Sequence, residues 1–241
     1  MIALQNNNMS LKDLIYISLR LRKIAAKKDV LFFPSFEKKL LTLGNEGGSW
    51  TFLPEVLDQK SIVYSVGIGN DISFDLDMIK KFSVNIYAYD PTPKCIEWLS
   101  KQHYPLNFKF FPFWLSSFDG ELNFNLPDNS NFVSASSVVP AHNKNYFSAK
   151  VKRLETFMKE NGHNHIDILK IDIEGSEYDV IDDILISGIN IRQFLVEFHH
   201  RFKEIGPEKT IEAVDKLKKA GYTIIHVNQK TGEEYTFLKT K

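Results

Sequence analysis

The sequence has little cysteine, no excess of either charge and no long apolar run. Its 241 residues include one cysteine, Cys95, which excludes an internal disulfide and a metal site built on a Cys-x-x-Cys pair. Basic and acidic residues number 30 each, so bulk charge gives no reason to expect a nucleic-acid partner. No stretch approaches the ~20 apolar residues that span a bilayer. We therefore expect a cytoplasmic α/β protein without stable membrane insertion.

The N-terminal segment has a helical pattern. Ser10 can cap a helix that begins near Leu11, and Leu14, Ile15 and Leu21 recur at helical spacing. Charges interrupt its apolar part, unlike in a signal peptide. Such a helix can pack on the main domain, pack on a second copy in a possible homodimer, or lie on a membrane. The short polar face favours packing.

From about residue 60 onward, apolar runs alternate with helical patterns, which predicts a parallel sheet covered by helices. The predicted strands are 62–66, 85–89, 108–113, 166–173, 194–198, 222–227 and 235–238. Residues 115–150 are predicted to be rich in loops, with short strands at 121–126 and 133–139. We divide the chain into an N-terminal helical extension and cofactor-covering segment, 1–58, and a Rossmann-like domain, 59–241.

The last two predicted strands flank a turn at residues 228–232, which predicts an antiparallel hairpin at the end of the sheet. Sheets that bind nicotinamide cofactors usually continue parallel. Methyltransferase sheets end with an inserted antiparallel strand. The hairpin therefore favours a methyltransferase over a dehydrogenase.

A glycine-containing turn follows the first predicted strand. Gly67 and Gly69 occupy the first two positions of the dinucleotide fingerprint, and Ile72 occupies the third. A third glycine makes room for a pyrophosphate, so its absence disfavours NAD and FAD. Asp90 ends the next strand and can accept hydrogen bonds from both hydroxyls of a ribose. S-adenosylmethionine has a ribose and no phosphate, and we favour it over a tight turn beside a capping aspartate.

A second polar cluster follows two later strands. Lys170, Asp172 and Glu174 alternate along "IDILKIDIEGSEYDVI", and Glu197 and His199 alternate along "FLVEFHH". Ligands of open α/β sheets bind beyond the carboxyl ends of strands, and buried charges are costly without partners or a role. The alternative is a structural network in which Lys170 pairs with Asp172 or Glu197 and Glu174 caps a helix.

This cluster supplies candidates for removing a proton from a hydroxyl acceptor. His199 is the first choice of base, oriented by Glu197 or Asp172, and Glu174 is the next candidate. We expect no metal, although Asp172, Glu197 and His199 are a possible set of ligands for Mg²⁺ or Mn²⁺. The remaining interpretation is that His199 packs at the end of a strand.

Several weaker signals leave alternatives open. Tyr146 and Lys150 form a Tyr-x-x-x-Lys pair, as in NAD-dependent short-chain dehydrogenases, although such a match is expected by chance. His163 and His165 precede a strand and are expected to be solvated. If His199 only packs at the end of a strand, His200 is expected to face solvent. A non-catalytic cofactor-binding module is a third possibility.

Six segments together resemble the FkbM-type methyltransferases over residues 42–200. They are VYSVGIGND, IYAYDPTP, FPFWLSSFDGEL, VKRLETF, DILKIDIEGSEYDVI and FLVEFHH. This family contains class I, S-adenosylmethionine-dependent enzymes that mostly methylate hydroxyls of sugars and related natural products. The resemblance implies a class I methyltransferase Rossmann-like fold. Its seven-stranded, mostly parallel sheet has the order 3-2-1-4-5-7-6 and an antiparallel terminal strand.

The resemblance also assigns parts of the cofactor to residues. It implies that Gly67 and Gly69 face the methionine part, that Asp90 holds the ribose, and that Phe113 or Trp114 borders the adenine. Asn70 and Asp71, next to the glycines, belong to the same expected cofactor site.

The remaining implied roles concern the rim of this site. Asp172 and Glu174 are expected near the centre of methyl transfer, and Gly48 in LGNEGGSW lies in an element that covers the cofactor. The family often has an acid where this chain has Ser65, and Asp71 or Glu46 is expected to replace it. The acceptor is expected to be a small molecule or glycan.

Overall fold

The structure is a computed structural model that describes residues 11–125 and 146–240, the first four without their side chains. The strands of the main sheet are β3 (Ile62–Val66), β4 (Asn85–Tyr89), β5 (Phe108–Phe111), β9 (Ile166–Ile171), β10 (Ile191–Glu197), β11 (Tyr222–Val227) and β12 (Glu234–Lys239). The smaller sheets contain β1 (Leu41–Leu43) and β2 (Trp50–Phe52), and β6 (Trp114–Leu115), β7 (Gly120–Asn125) and β8 (Tyr146–Lys152). The helices are α1 (Leu11–Ala25), α2 (Ser73–Phe82), α3 (Pro93–Leu99), α4 (Leu154–Asn161), α5 (Glu177–Ser187) and α6 (Pro207–Lys219), with a 3₁₀ turn at Pro54–Val56.

The main sheet has seven strands in the order β11-β12-β10-β9-β3-β4-β5. Strand β12 runs antiparallel to both of its neighbours, and the other pairs are parallel. Numbered within this sheet, the order is 3-2-1-4-5-7-6 read from β5, which confirms the predicted fold. The terminal hairpin is therefore the inserted pair that the turn at residues 228–232 predicts.

The central strand β9 is buried along its whole length because helices cover both faces of the sheet. Ile168 packs in a cluster with Phe74 of α2 and Leu99 of α3. Leu169 packs in a second cluster with residues of α4, α5 and α6. An apolar run without alternation is the sequence signature of such a strand.

The short strand predicted at 121–126 is confirmed as β7, but the described part of residues 115–150 contains more strand than predicted. Strands β6, β7 and β8 form a three-stranded sheet there, and β7 pairs with β8 in antiparallel register. Strand β8 does alternate, because Phe147, Ala149 and Val151 are less exposed than the residues between them, but only Ala149 and Val151 are buried. Strand β5 ends before Pro112, which has no N–H for a ladder. The strand predicted at 133–139 lies outside the described residues.

Two further strand bounds differ from the prediction. Strand β9 stops at Ile171, because Glu174 (φ +52°) and Gly175 (φ +104°) turn the chain through left-handed conformations. Strand β10 begins at Ile191, three residues before the predicted start. The polar Gln193 is buried in this added part, because its side-chain amide hydrogen-bonds to the backbone N–H and carbonyl of Leu53.

The helix α1 is present as predicted, but Ile15 and Leu21 do not pack on the main domain. Their relative exposures are 52% and 53%. Arg20 instead fixes the helix, donating to the carbonyls of Val30 and Gln229 at 2.8 Å. Ser10 lies outside the described residues. Within the described part of the chain, no helix is long and apolar enough to cross a membrane.

His163 also departs from its expected exposure. It is half-buried, with Nδ1 lying 2.9 Å from the hydroxyl of Tyr64 and its ring edge-on to Tyr87. This histidine therefore packs against aromatic side chains of β3 and β4.

Asp29 joins the N-terminal segment to the end of β10 through a buried ion network. Its carboxylate lies 3.1 Å from His200 Nε2, accepts a hydrogen bond from Arg201 at 2.8 Å and lies 3.6 Å from Arg20 Nε. His200 is 1% exposed, so the expectation that it faces solvent is wrong. Its partner Asp29 lies 171 residues away in the sequence, so no local sequence pattern predicts the contact.

Replacing Asp29 by asparagine is expected to lower the free energy of unfolding by about 3 kcal/mol at pH 7, because buried cations lose their counter-charge. Burial opposes ionisation of Asp29, but the hydrogen bonds from His200 and Arg201 outweigh it and lower the pKa to about 2. The stabilisation is thus complete above the ordinary aspartate pKa and is lost as the pH falls toward 2. Urea unfolding at neutral and acidic pH measures it, with the exposed Asp215→Asn as control. Equal stability of the Asp29 variant and the wild type at pH 7 would contradict the network.

Candidate cofactor cleft and active site

A cleft of about 260 Å³ opens at the carboxyl ends of β3, β4 and β9, where the strand order reverses. All eight residues expected to bind the cofactor line it: Gly48, Gly67, Gly69, Asn70, Asp71, Asp90, Trp114 and Asp172. Lys170, Glu174 and Glu197 line it as well. Phe113 does not line this cleft, and Glu46 lines a neighbouring cavity.

Gly67 is required by the approach of two strands. Its φ is +74°, and a Cβ atom there would lie 1.7 Å from the carbonyl oxygen of Asp172. The Gly67 carbonyl accepts a hydrogen bond from Lys170 Nζ at 2.9 Å. Lys170 also lies over the Trp50 ring, 5.3 Å from its centroid. Backbone geometry alone therefore requires a glycine at this turn, whether or not a ligand binds beside it.

Asp90 ties the glycine turn to the end of β4. One carboxylate oxygen accepts the N–H of Gly69 at 2.9 Å, and the other accepts the N–H and hydroxyl of Thr92 at 2.9 and 2.7 Å. Thr92 occupies the N-cap position of α3, but its hydroxyl donates to Asp90 and caps no helical N–H. Burial raises the pKa of Asp90, and these hydrogen bonds act against that rise.

The wall of the cleft contains an indole donor without a partner. Trp114 is 2% exposed, and its Nε1 makes no hydrogen bond to any described residue. A buried N–H without an acceptor is costly, and a ligand with ring nitrogens or hydroxyls supplies one.

His199 stands behind the cleft between three carboxylates. Its Nδ1 lies 2.8 Å from Glu177 Oε1, and its Nε2 lies 3.6 Å from Asp172 Oδ1 and 3.5 Å from Glu174 Oε2. Glu177 is fully buried and accepts the N–H groups of Ile173 and Gly175 at 3.1 Å. The orienting carboxylate is thus Glu177, which sequence reasoning missed.

The charges around His199 change its protonation. Burial lowers the pKa of His199, but Glu177, Asp172 and Glu174 together raise it to about 10. Burial, with the nearby Asp172 charge, raises the pKa of Glu197 to about 9, and burial also raises that of Asp172. In the ligand-free cleft at neutral pH, the imidazole therefore holds a proton that a general base would have to lose.

The dehydrogenase-like pair lies elsewhere. Tyr146 and Lys150 belong to β8 of the three-stranded sheet, Tyr146 is mostly exposed, and neither lines the cleft. The position of this pair outside the cleft argues against the short-chain dehydrogenase interpretation.

The strand order, the antiparallel β12 and a cleft at the switch point define a class I methyltransferase fold. The family described as "Methyltransferase FkbM domain" matches residues 50–224, and the chain belongs to that family.

Known proteins similar to this chain share little sequence with it. The human "Probable methyltransferase-like protein 24" is 22% identical over 196 residues, which are 77% of this chain and 47% of that protein. The chain thus spans about half the length of the curated relatives it matches.

Solved structures are more distant still. A methyltransferase FkbM from Methylobacillus flagellatus is 10% identical, covering 76% of this chain and 44% of its own, with a TM-score of 0.47. Aeropyrum pernix fibrillarin, solved with natively bound S-adenosyl-L-methionine, is 11% identical, covering 78% and 69%, with a TM-score of 0.40.

Proposed function

We propose that this protein binds S-adenosylmethionine and transfers its methyl group to a hydroxyl oxygen of a sugar or glycan-like acceptor. One observation carries the proposal: a second, polar cavity lies next to the cleft at the switch point. The two share Gly47, Ser49, Trp50 and Glu234 as walls. A donor and an acceptor held in these two spaces would meet at this shared wall.

The residues of the cleft fit the cofactor. Asp90 keeps lone pairs for ribose hydroxyls, and Trp114, whose buried indole N–H has no partner among the described residues, lines the same space. Of the two acids expected to replace the one missing at Ser65, Asp71 lines the cleft and Glu46 lines the neighbouring cavity, so Asp71 is the one we propose for the amino group. The cofactor supplies a methyl group already activated on a sulfonium, so the protein's task is mainly alignment.

The second cavity suits a carbohydrate. It has a volume of about 320 Å³ and is lined mainly by groups that hydrogen-bond, among them Glu46, Thr51, His226 and Asn228. Burial lowers the pKa of His226 to about 4, so this imidazole is neutral at pH 7 and can accept as well as donate. The indole of Trp50 is 5% exposed and lies in the wall that the two cavities share.

Binding and turnover test the proposal separately. Calorimetry with the purified chain is expected to show binding of S-adenosylmethionine and of its demethylated product, and none of NAD. Incubation with a glycan panel is expected to add the mass of one methyl group in place of hydrogen to at least one acceptor. Binding of NAD in place of S-adenosylmethionine would contradict the cofactor. Cofactor binding without any methylated product would leave a non-catalytic binding module.

The acceptor cavity yields a residue-level prediction. Replacing the exposed Glu46 by glutamine is expected to raise the KM for the glycan acceptor about 10-fold, because a charged hydrogen-bond acceptor is lost. The affinity for S-adenosylmethionine should stay unchanged, since Glu46 does not line the cofactor cleft. The matched control is Glu37→Gln, an exposed acid outside both cavities. An unchanged KM would move the acceptor away from this cavity.

A further inference from the structure

The geometry points to a divalent cation site formed by Asp172 Oδ1, Glu174 Oε2 and His199 Nε2 at the edge of the cofactor cleft. The three ligand atoms lie within 4.8 Å of one another, and they are the one such group of three among the described residues. This set differs from the possible set named from the sequence, because Glu174 takes the place of Glu197.

The spacing of the three atoms suits a shared ion better than direct contacts. His199 Nε2 is 3.5 and 3.6 Å from the two carboxylate oxygens, beyond the 2.7–2.9 Å of a charge-assisted N–H···O bond. Two donor atoms that lie 3.5 or 3.6 Å apart, and each about 2.1 Å from one ion, form an angle of roughly 115° at that ion. Both nitrogen–oxygen pairs are therefore compatible with one shared ion that keeps further coordination positions for other ligands.

The orientation of the imidazole is set from behind. Glu177 is an acceptor of two backbone N–H groups and lies 2.8 Å from Nδ1, so the proton of that nitrogen is held there. The lone pair of a neutral imidazole then points from Nε2 toward Asp172 and Glu174. A carboxylate behind a ligating histidine is the usual arrangement at metal centres, where it fixes the tautomer and the ring.

The backbone brings Glu174 into this group at a cost. Its φ of +52° is one of three positive values among the described non-glycine residues. Such a conformation costs on the order of 1–3 kcal/mol and persists where the surrounding structure requires it. Here it turns the chain after β9 so that Glu174 and Asp172 face the same nitrogen.

The chemistry of the ligands indicates the type of ion. One imidazole with two carboxylates suits Mn²⁺ better than Ca²⁺ or Mg²⁺, which prefer oxygen ligands alone. Glu197 and Glu234 line the same cleft and add further carboxyl oxygens near the site. Because Asp172 and Glu174 line the cleft, an acceptor hydroxyl that reaches the cleft can bind the ion at a remaining coordination position.

The role of the ion in methyl transfer rests on the proposed function. A bound ion lowers the pKa of a coordinated hydroxyl, so no neutral side-chain base is required. The O–H bond breaks and its proton passes to water or a cleft carboxylate. The C–O bond forms as the S–CH₃ bond breaks, and that electron pair stays on sulfur as a thioether.

Manganese binding to the chelator-treated, dialysed full chain tests the site. Titration followed by electron paramagnetic resonance is expected to show one bound Mn²⁺, with a pulsed-resonance coupling to one imidazole nitrogen. Glu174→Gln should weaken binding about 100-fold, and Glu177→Gln about 10-fold. His199→Gln should abolish the nitrogen coupling, while circular dichroism confirms that each variant is folded.

The matched control is Glu197→Gln, which makes the same replacement at another carboxyl group of the same cleft and should change Mn²⁺ affinity less than about 3-fold. Equal losses for Glu174 and Glu197 would reduce the effect to general electrostatics and overturn the site. Absence of nitrogen coupling, or of any saturable binding, would also overturn it. Calorimetry with S-adenosylmethionine in chelator separates the two proposals, because each binding event can fail without the other.

Discussion

Gly67→Ala is expected to lower the free energy of unfolding by more than about 4 kcal/mol and to leave little folded protein. The added Cβ atom would lie 1.7 Å from the carbonyl oxygen of Asp172, and the glycine has a left-handed φ. Neither strand can yield easily, because β3 and β9 are paired in the middle of the sheet. Denaturant unfolding followed by circular dichroism measures the effect.

Gly69→Ala is the matched control two residues away. Its φ is also positive, +54°, but a Cβ atom there would meet nothing within 4 Å. The expected cost is about 1 kcal/mol from backbone conformation alone. If both variants were equally stable, the close approach of Gly67 to Asp172 would not exist in solution.

Asp90→Asn is expected to weaken S-adenosylmethionine binding about 10- to 100-fold while the chain remains folded. An amide has one oxygen, so it cannot accept from Thr92 and Gly69 on opposite sides and still accept from ribose hydroxyls. Isothermal titration calorimetry measures the affinity, and thermal unfolding without ligand measures any loss of stability. Binding by Asp90→Asn that matches the exposed control Asp215→Asn would place the cofactor elsewhere.

The sheet was predictable because its strands are apolar runs between strong breakers. Strands β3, β4 and β11 have the predicted bounds, and the antiparallel β12 follows from the turn before it. Strand β8 escaped prediction because it lies on a separate small sheet and buries only two side chains. Its register depends on β7, whose partner residues cannot be read from β8 alone.

The cleft residues were predictable from the ends of strands, but their partners were not. Residues at the carboxyl ends of adjacent parallel strands converge, which is why Gly67, Asp90 and Asp172 line one space. Glu177 looks in sequence like an acid that favours the first turn of a helix. Only the left-handed turn before α5 reveals that its carboxylate faces inward to His199. Gly67 was likewise interpreted as space for a ligand, whereas backbone contact requires it first.

The Asp29 network sets a lower limit on the smallest fragment that can be excised intact. The family match begins at residue 50, whereas Asp29 is the buried counter-ion of Arg201 and the partner of His200 Nε2. A fragment cut at the start of the match would leave Arg201 and His200 without this carboxylate, next to His199 in the sequence. Recombination or domain grafting that swaps the segment before residue 50 must therefore carry an acid into the same position, or redesign the end of β10 with it.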